Sequence, residues 1–199
     1  MRSLIFAVAL VCFWVCLPIT SPTLAATRYV DSSVSASGDG MSWETALKTI
    51  QEGIDAASEG DTVIVAEGTY VENINFNGKN IILTSTDPLD ADAVAFTIID
   101  GNRDDSVVTF SGTEGESCSL SGFTIRNGRA QNGGGICGGN ESQHTHATIK
   151  HNVVTENSAG NGGALSYSDG TIECNRINAN QGEGYGAACT TGTARLLAT

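Results

Sequence analysis

Few residues of this 199-residue chain have the type and spacing to do chemistry. Asp104-Asp105, preceded by Arg103, is the one adjacent acidic pair in the repeat-bearing part of the chain. Two carboxyl groups can act as acid and base, or acid and nucleophile, on a glycosidic bond when held a defined distance apart. Neighbours on a strand point to opposite faces, and neighbours in a turn both face water. An active site needs converging groups, which a dipeptide does not supply. Asp100, in Ile99-Asp100-Gly101-Asn102, reads as a turn former whose carboxylate bonds nearby backbone.

Histidine and cysteine come next. His144 and His146 alternate, so an extended segment would put both on one side. His151 falls one repeat above Cys174, and zinc accepts both ligand types. Four convergent ligands are not evident, so the metal question stays open and no metal ligand is assigned. Asn140-Glu141-Ser142 fits an N-glycosylation sequon, which has meaning only in a glycosylating host. Tyr29, Trp43, Tyr70, Phe76, Phe96, Phe110, Phe123, Tyr167 and Tyr185 are the aromatics beyond the leader. Most fall inside apolar runs, where core packing is the expectation. Tyr167 and Tyr185 are the exceptions, and they share no column.

These residues are positioned by a repeat. Leu120, Ile149 and Ile172 begin three similar blocks, at offsets of 29 and 23 residues. The same offsets relate Ile125, Val154 and Ile177, then Ala130 and Ala159, then Gly134, Gly163 and Gly186. A fixed period of this length, with β-branched residues and Gly/Asn turns, predicts stacked β-solenoid coils. Equivalent side chains then form columns. Leu120, Ile149 and Ile172 make one apolar wall, and Ile125, Val154 and Ile177 another. Asn152 over Asn175, and Asn157 over Asn180, predict amide ladders that satisfy turn backbone. Lys150 over Glu173 predicts an outward pair worth about 0.5 kcal/mol. The glycines at 134, 163 and 186 suit bends where a side chain would crowd. The first repeat exceeds the second by six residues, which places His144 and His146 on a protruding loop. Arg126 aligns with Thr155 and Asn178, and Arg176 with Val153. No column is expected to bring Asp and Arg together, so no catalytic residue and no catalytic groove is assigned.

Arg2, the apolar run from Leu4 to Leu17, and the small residues Ala25 and Ala26 read as a secretory signal peptide over residues 1–26. The apolar run is 14 residues, short of the roughly 20 that cross a bilayer as a helix. No later stretch could span a membrane. Cys12 and Cys16 lack the preceding small residue of a lipoprotein signal. Formal charge is −12, which disfavours nucleic-acid binding through a basic face and keeps an exported protein soluble. Four cysteines follow the leader: Cys118, Cys137, Cys174 and Cys189. Cys137 and Cys189 share a column but lie two layers apart. At about 4.8 Å per layer they are beyond the reach of an unstrained disulfide. Free, mostly buried thiols are therefore expected.

Residues 27–60 read as an N-terminal cap. A short strand runs from Thr27 to Val34. Ser42 then caps a helix starting at Trp43, with Ala46, Leu47, Ile50, Ile54 and Ala57 on its apolar face and Gly60 as its stop. Such a helix would close the open end of the stack. Residues 61–188 read as coils. The early strands are Thr62–Ala66, Tyr70–Phe76, Asn80–Thr86, Thr97–Asp100 and Ser106–Phe110, with Leu89–Ala95 an insertion between strands. Five or six coils are expected. Residues 189–199, CTTGTARLLAT, depart from the repeat. They read as the irregular tail of a truncated or frameshifted product whose parent continues the coils.

Several stretches together carry a resemblance: Tyr29-Val30-Asp31, Ser42-Trp43, Gly60-Asp61-Thr62, Glu67-Gly68-Thr69-Tyr70, Ile99-Asp100-Gly101-Asn102, Gly122 to Gly128 and Gly133 to Ile136. Over nearly all of residues 27–188 the chain resembles secreted right-handed parallel β-helix proteins of the pectate-lyase-like superfamily. It is most similar to bacterial surface proteins with polymorphic-membrane-protein-type repeats. The resemblance implies an all-β, right-handed parallel β-helix with a short N-terminal capping α-helix. It covers polysaccharide lyases, hydrolases and adhesins. Its lyases need Ca²⁺ in a carboxylate cluster beside an Arg or Lys that abstracts a proton. The expected role is a secreted, extracellular or surface-displayed scaffold for adhesion or glycan contact, with no catalytic site and no cofactor. The alternative is a fragment of a polysaccharide lyase or glycoside hydrolase acting on acidic polysaccharide, and Ca²⁺ enters only there. A fragment without function is the third reading. Polysaccharide or cell-surface glycan is the expected partner.

Overall fold

The computed structural model describes residues 24–182. The residues before Leu24, where a signal peptide is expected, the third glycine-rich piece with Tyr185 and Gly186, and Cys189 with the tail lie outside the described residues.

The fold is all-β, and its walls are parallel sheets to which the chain returns in register. The first wall has six strands, in the order Thr27–Val30, Thr62–Val65, Ile82–Ser85, Ser119–Ser121, Thr148–Lys150 and Ile172–Glu173. The second has five: Gly68–Val71, Thr97–Asp100, Thr124–Arg126, Val153–Thr155 and Arg176–Asn178. A third wall stacks Ile74–Asn75, Val108–Thr109, Ile136–Cys137 and Leu165–Ser166. A fourth stacks Arg129–Asn132, Ser158–Asn161 and Gln181–Gly182. The apolar columns run the length of the second and third walls and through five of the six strands of the first, where Arg28 stands opposite Val63. Val63, Leu83, Leu120, Ile149 and Ile172 pair in sequence. So do Tyr70, Ile99, Ile125, Val154 and Ile177, and Ile74, Val108, Ile136 and Leu165. The expected columns hold and extend upward into coils whose unequal lengths hide the repeat. Phe76 and Phe110 stack inside at 4.4 Å between ring centroids.

The amide ladders form as expected. Asn152 Oδ1 accepts from the Phe123 N–H at 3.0 Å, and its Nδ2 donates to Leu120 O at 3.0 Å and to Asn175 Oδ1 at 3.1 Å. Asn157 repeats the motif one corner on, accepting from the Gly128 N–H at 2.8 Å and donating to Ile125 O and Asn180 Oδ1 at 3.0 Å each. The residue before each ladder position has positive φ: His151, Cys174, Glu156 and Ala179. Left-handed backbone turns the corner, and the following amide satisfies the groups that the corner leaves unpaired. A side chain at Gly134 or Gly163 would lie 2.4 Å from Ser158 O or 2.2 Å from Gln181 O, so the predicted crowding is real. Lys150 sits in register with Glu173, but the two are not among the ion pairs of the described residues.

The N-terminal cap differs in detail. Trp43–Thr45 is a single 3-10 turn, and Ser42 makes no side-chain cap. Leu47 instead pairs with the first wall, its N–H donating to Tyr29 O at 2.9 Å, and a helix cannot run through a residue so engaged. Helix α1 (Ile50–Ala56) starts after Thr49, which forms a capping box with Glu52. It packs Ile50 and Ile54 on the first strands of the stack, at the N-terminal end where a cap was expected. Glu72 reinforces its start by accepting from the Ile50 and Gln51 N–H groups at 2.9 and 3.0 Å. Burial outweighs those bonds and pushes the Glu72 carboxyl above its ordinary value.

Other boundaries also shift. Tyr70–Phe76 is two strands with a corner between them, and Ser106–Phe110 contributes only Val108–Thr109. The Leu89–Ala95 insertion holds a short helix, α2 (Ala91–Phe96), capped by Asp90. It rests Ala93 and Val94 on the second wall and leaves Phe96 59% exposed, against the core placement expected for that ring. Trp43 is also exposed and leans on Tyr29. Cys118, Cys137 and Cys174 are free thiols. Cys118 is buried, but Cys174 is exposed at its corner, so burial holds for one of the two extremes only.

Candidate functional site

The expectation that no column gathers Asp with Arg is overturned. Asp100 pairs in register with Arg126 on the second wall, and Arg126 Nε donates to Asp100 Oδ2 at 2.9 Å. The repeat offsets relate Arg126 only to later coils, whereas its partner lies in an earlier coil of different length. The same carboxylate accepts from Asn127 Nδ2 at 2.9 Å and, through Oδ1, from the Asn102 N–H at 3.0 Å. Burial alone would raise its pKa. The Asn102 N–H, the Asn127 amide and the Arg126 guanidinium together hold it below the ordinary value. Asp100 is thus a turn former, as expected, and also the anchor of an ion pair.

That anchor fixes the following corner. Asn102, Arg103 and Asp105 all have positive φ. The Arg103 N–H donates to Asn127 O at 2.6 Å, and the Arg129 N–H donates to Asp105 O at 2.9 Å. Asp104 and Asp105 are exposed, and Asp105 Oδ1 accepts from the Ser106 N–H at 2.8 Å. The acidic pair therefore serves a solvated turn and does not converge on a substrate site.

What the corner does present is Arg103, beside the fourth wall. There Arg129, Ser158 and Gln181 lie in register in successive layers. With Ala130, Gln131, Ala159, Gly160 and Gly182 they line an open polar groove of about 490 Å³. A smaller recess of about 200 Å³ shares Arg103, Ser158 and Gln181 and adds Glu156, Asn157 and Ala179. Gly160 makes room for Gln131, because a Cβ there would lie 2.5 Å from Gln131 Nε2. Among the described residues the lining of the larger groove holds two arginines and no carboxylate. Neither arginine is in an ion pair among the described residues. In a chain of net charge −12 the described lining of this groove is net positive, although Glu156 lines the adjoining recess. Guanidinium, amide and hydroxyl groups together suit a ligand that carries both anionic groups and hydroxyls. Of these residues Ala130 and Ala159 are the pair that the repeat offset relates, and a pair of alanines carries no sign of a groove.

The histidines separate. The expected loop is a two-stranded hairpin, Gly139–Asn140 against Gln143–His144. It folds back so that His144 Nδ1 lies 3.0 Å from Asp169 Oδ2, with the Tyr167 ring 5.4 Å away. His146 remains exposed. His151 and Cys174 occupy equivalent corner positions, as the register required. Among the described residues no three His, Cys, Asp or Glu side chains gather as a metal site. The donor set at Asp100 does not fit Ca²⁺ either, because both carboxylate oxygens are already taken by hydrogen-bond donors. Among the described residues no helix is long and apolar enough to cross a membrane.

No protein-family model, curated protein or solved structure matches the chain.

Proposed function

We propose that the chain is an exported right-handed parallel β-helix of the pectate-lyase-like kind, and that it serves as an extracellular or surface-displayed scaffold for adhesion to an acidic glycan. The observation that carries this reading is the groove lined by Arg103 and Arg129, where an acidic protein places two guanidinium groups, without an ion pair among the described residues, on one open polar channel. Stacked walls hold the channel rigid, so little ordering entropy is lost when an extended chain settles there. The in-register columns and the N-terminal helix support the β-helix architecture.

Binding of the protein to an immobilised polyuronate and to a neutral glucan tests this. The polyuronate is retained and the glucan is not, retention falls with added salt, and Arg103→Ala or Arg129→Ala each weakens binding about tenfold, equivalent to about 1.4 kcal/mol. Equal retention of both polymers, or arginine variants that bind like the parent, would sink the reading.

A second reading, a fragment of a polysaccharide lyase or glycosidase, draws on the Asp100–Arg126 pair three residues from Arg103. It is weaker, because a carboxylate engaged by three donors is committed to the turn. New reducing ends or unsaturated product from a polyuronate, with or without added Ca²⁺, would favour it.

A further inference from the structure

The hairpin beyond the third wall carries a feature that the groove does not use. Of the fourteen asparagines in the chain, only Asn140 is followed two residues later by Ser or Thr. Other asparagines serve corners, ladders and turns, and Asn140 stands at the hairpin tip. Residues 140–143 are all exposed. Asn140 Oδ1 accepts from the Ser142 N–H at 2.9 Å and from the Gln143 N–H at 3.2 Å. This is an Asx turn, which fixes the side-chain amide through its oxygen, and Nδ2 has no hydrogen bond among the described residues. Hydrogen bonds at the oxygen also make the amide N–H more acidic, easing loss of the proton that a transfer at nitrogen must release. The turn spans four residues, so it can form in a nascent chain before the walls assemble.

We propose that Asn140 is an acceptor for an N-linked oligosaccharide, an inference that rests on the exported reading above. The donor class is a lipid-linked pyrophosphoryl oligosaccharide. In the transfer the Nδ2–C1 bond forms, the bond from C1 to the pyrophosphate oxygen breaks, and its electron pair leaves on the lipid pyrophosphate. One Nδ2 proton passes to the base of the transferase. Ser142 supplies the hydroxyl of the motif, and the hairpin holds the three residues clear of both the core and the groove.

The test is secretion of the protein, led by a host signal sequence, from eukaryotic cells that N-glycosylate, followed by intact mass before and after peptide N-glycosidase. One glycan per chain is expected, with Asn140 converted to Asp on release. It is lost in Asn140→Gln and Ser142→Ala and kept in Ser142→Thr, a set that separates the motif from any effect on folding. Protein recovered from the medium with Asn140 unmodified would overturn the proposal. In a parallel arm the chain carries its own residues 1–26. Failure of export in that arm alone counts against the exported reading, while the host-led protein still reports on Asn140.

Discussion

Replacing Asn152 tests the physical basis of the stack most directly. Its side chain is 1% exposed and bonds four groups: the Phe123 N–H, Leu120 O, Lys150 O and Asn175 Oδ1. In Asn152→Ala the Phe123 N–H keeps no side-chain acceptor in a site closed to water. A buried donor left unpaired costs about 1–3 kcal/mol. Loss of the donor to Leu120 O and the small void bring the expected total to about 2–4 kcal/mol. With a urea slope near 2 kcal/mol/M the midpoint should fall by about 1–2 M. Asn152→Asp is the sharper probe. It keeps shape and the acceptor for Phe123, but sets a carboxylate oxygen against three acceptors where Nδ2 had donated. It should be at least as damaging as alanine at neutral pH. Asn178→Ala, at an exposed strand position, should stay within about 0.5 kcal/mol of the parent. Midpoints come from urea titrations followed by circular dichroism. If Asn152→Asp unfolds at the parent's midpoint, the two-way bonding argument is wrong.

Two carboxyl groups should shape stability against pH in opposite senses. Glu72 has its folded pKa raised above 4.5 by burial. The folded state then holds the extra proton, and stability falls as pH rises from 4.5 through that higher value. Glu72→Gln should remove this slope in urea midpoints measured at stepped pH. Asp100 has its folded pKa held below 3.8 despite burial, so its contribution is present above 3.8 and is lost as pH falls through the lower folded value. Asp100→Asn should flatten that acid limb, and an unchanged limb would count against the Arg126 and Asn127 contacts. Thiol reactivity should follow burial. The Cys118 thiol is pushed up to about 12 by burial, while Cys174 is exposed. Iodoacetamide on the native protein should label Cys174 first and Cys118 only on unfolding, read by peptide mass; early labelling of Cys118 would show that its layer opens.

Much of the architecture was legible because a stacked repeat writes tertiary contacts into the sequence. Ile149 meets Leu120 and Ile172, and Asn157 meets Asn180, at the offsets read from the letters alone. Where coils differ in length the offsets dissolve, so Val63 over Leu83 and Asp100 beside Arg126 had to await the fold. The helix start moved from Ser42 to Thr49 for a related reason. Apolar spacing gave the buried face, but the strand pairing of Leu47 decided where helical backbone could begin.

The sequence by itself determined the columns, the corner asparagines and the acidic surface, since each depends on residue type and a constant period. Only the tertiary structure decided which side chains meet across unequal coils. Glu114 is an example: its fully buried carboxylate gathers N–H groups from Gly78, Ser111, Gly112 and Thr113. The groove is another, because Arg103 comes from a corner of one coil and Gln181 from a strand three repeats later. Their approach depends on how far each turn protrudes, a property of backbone path that no side-chain period encodes.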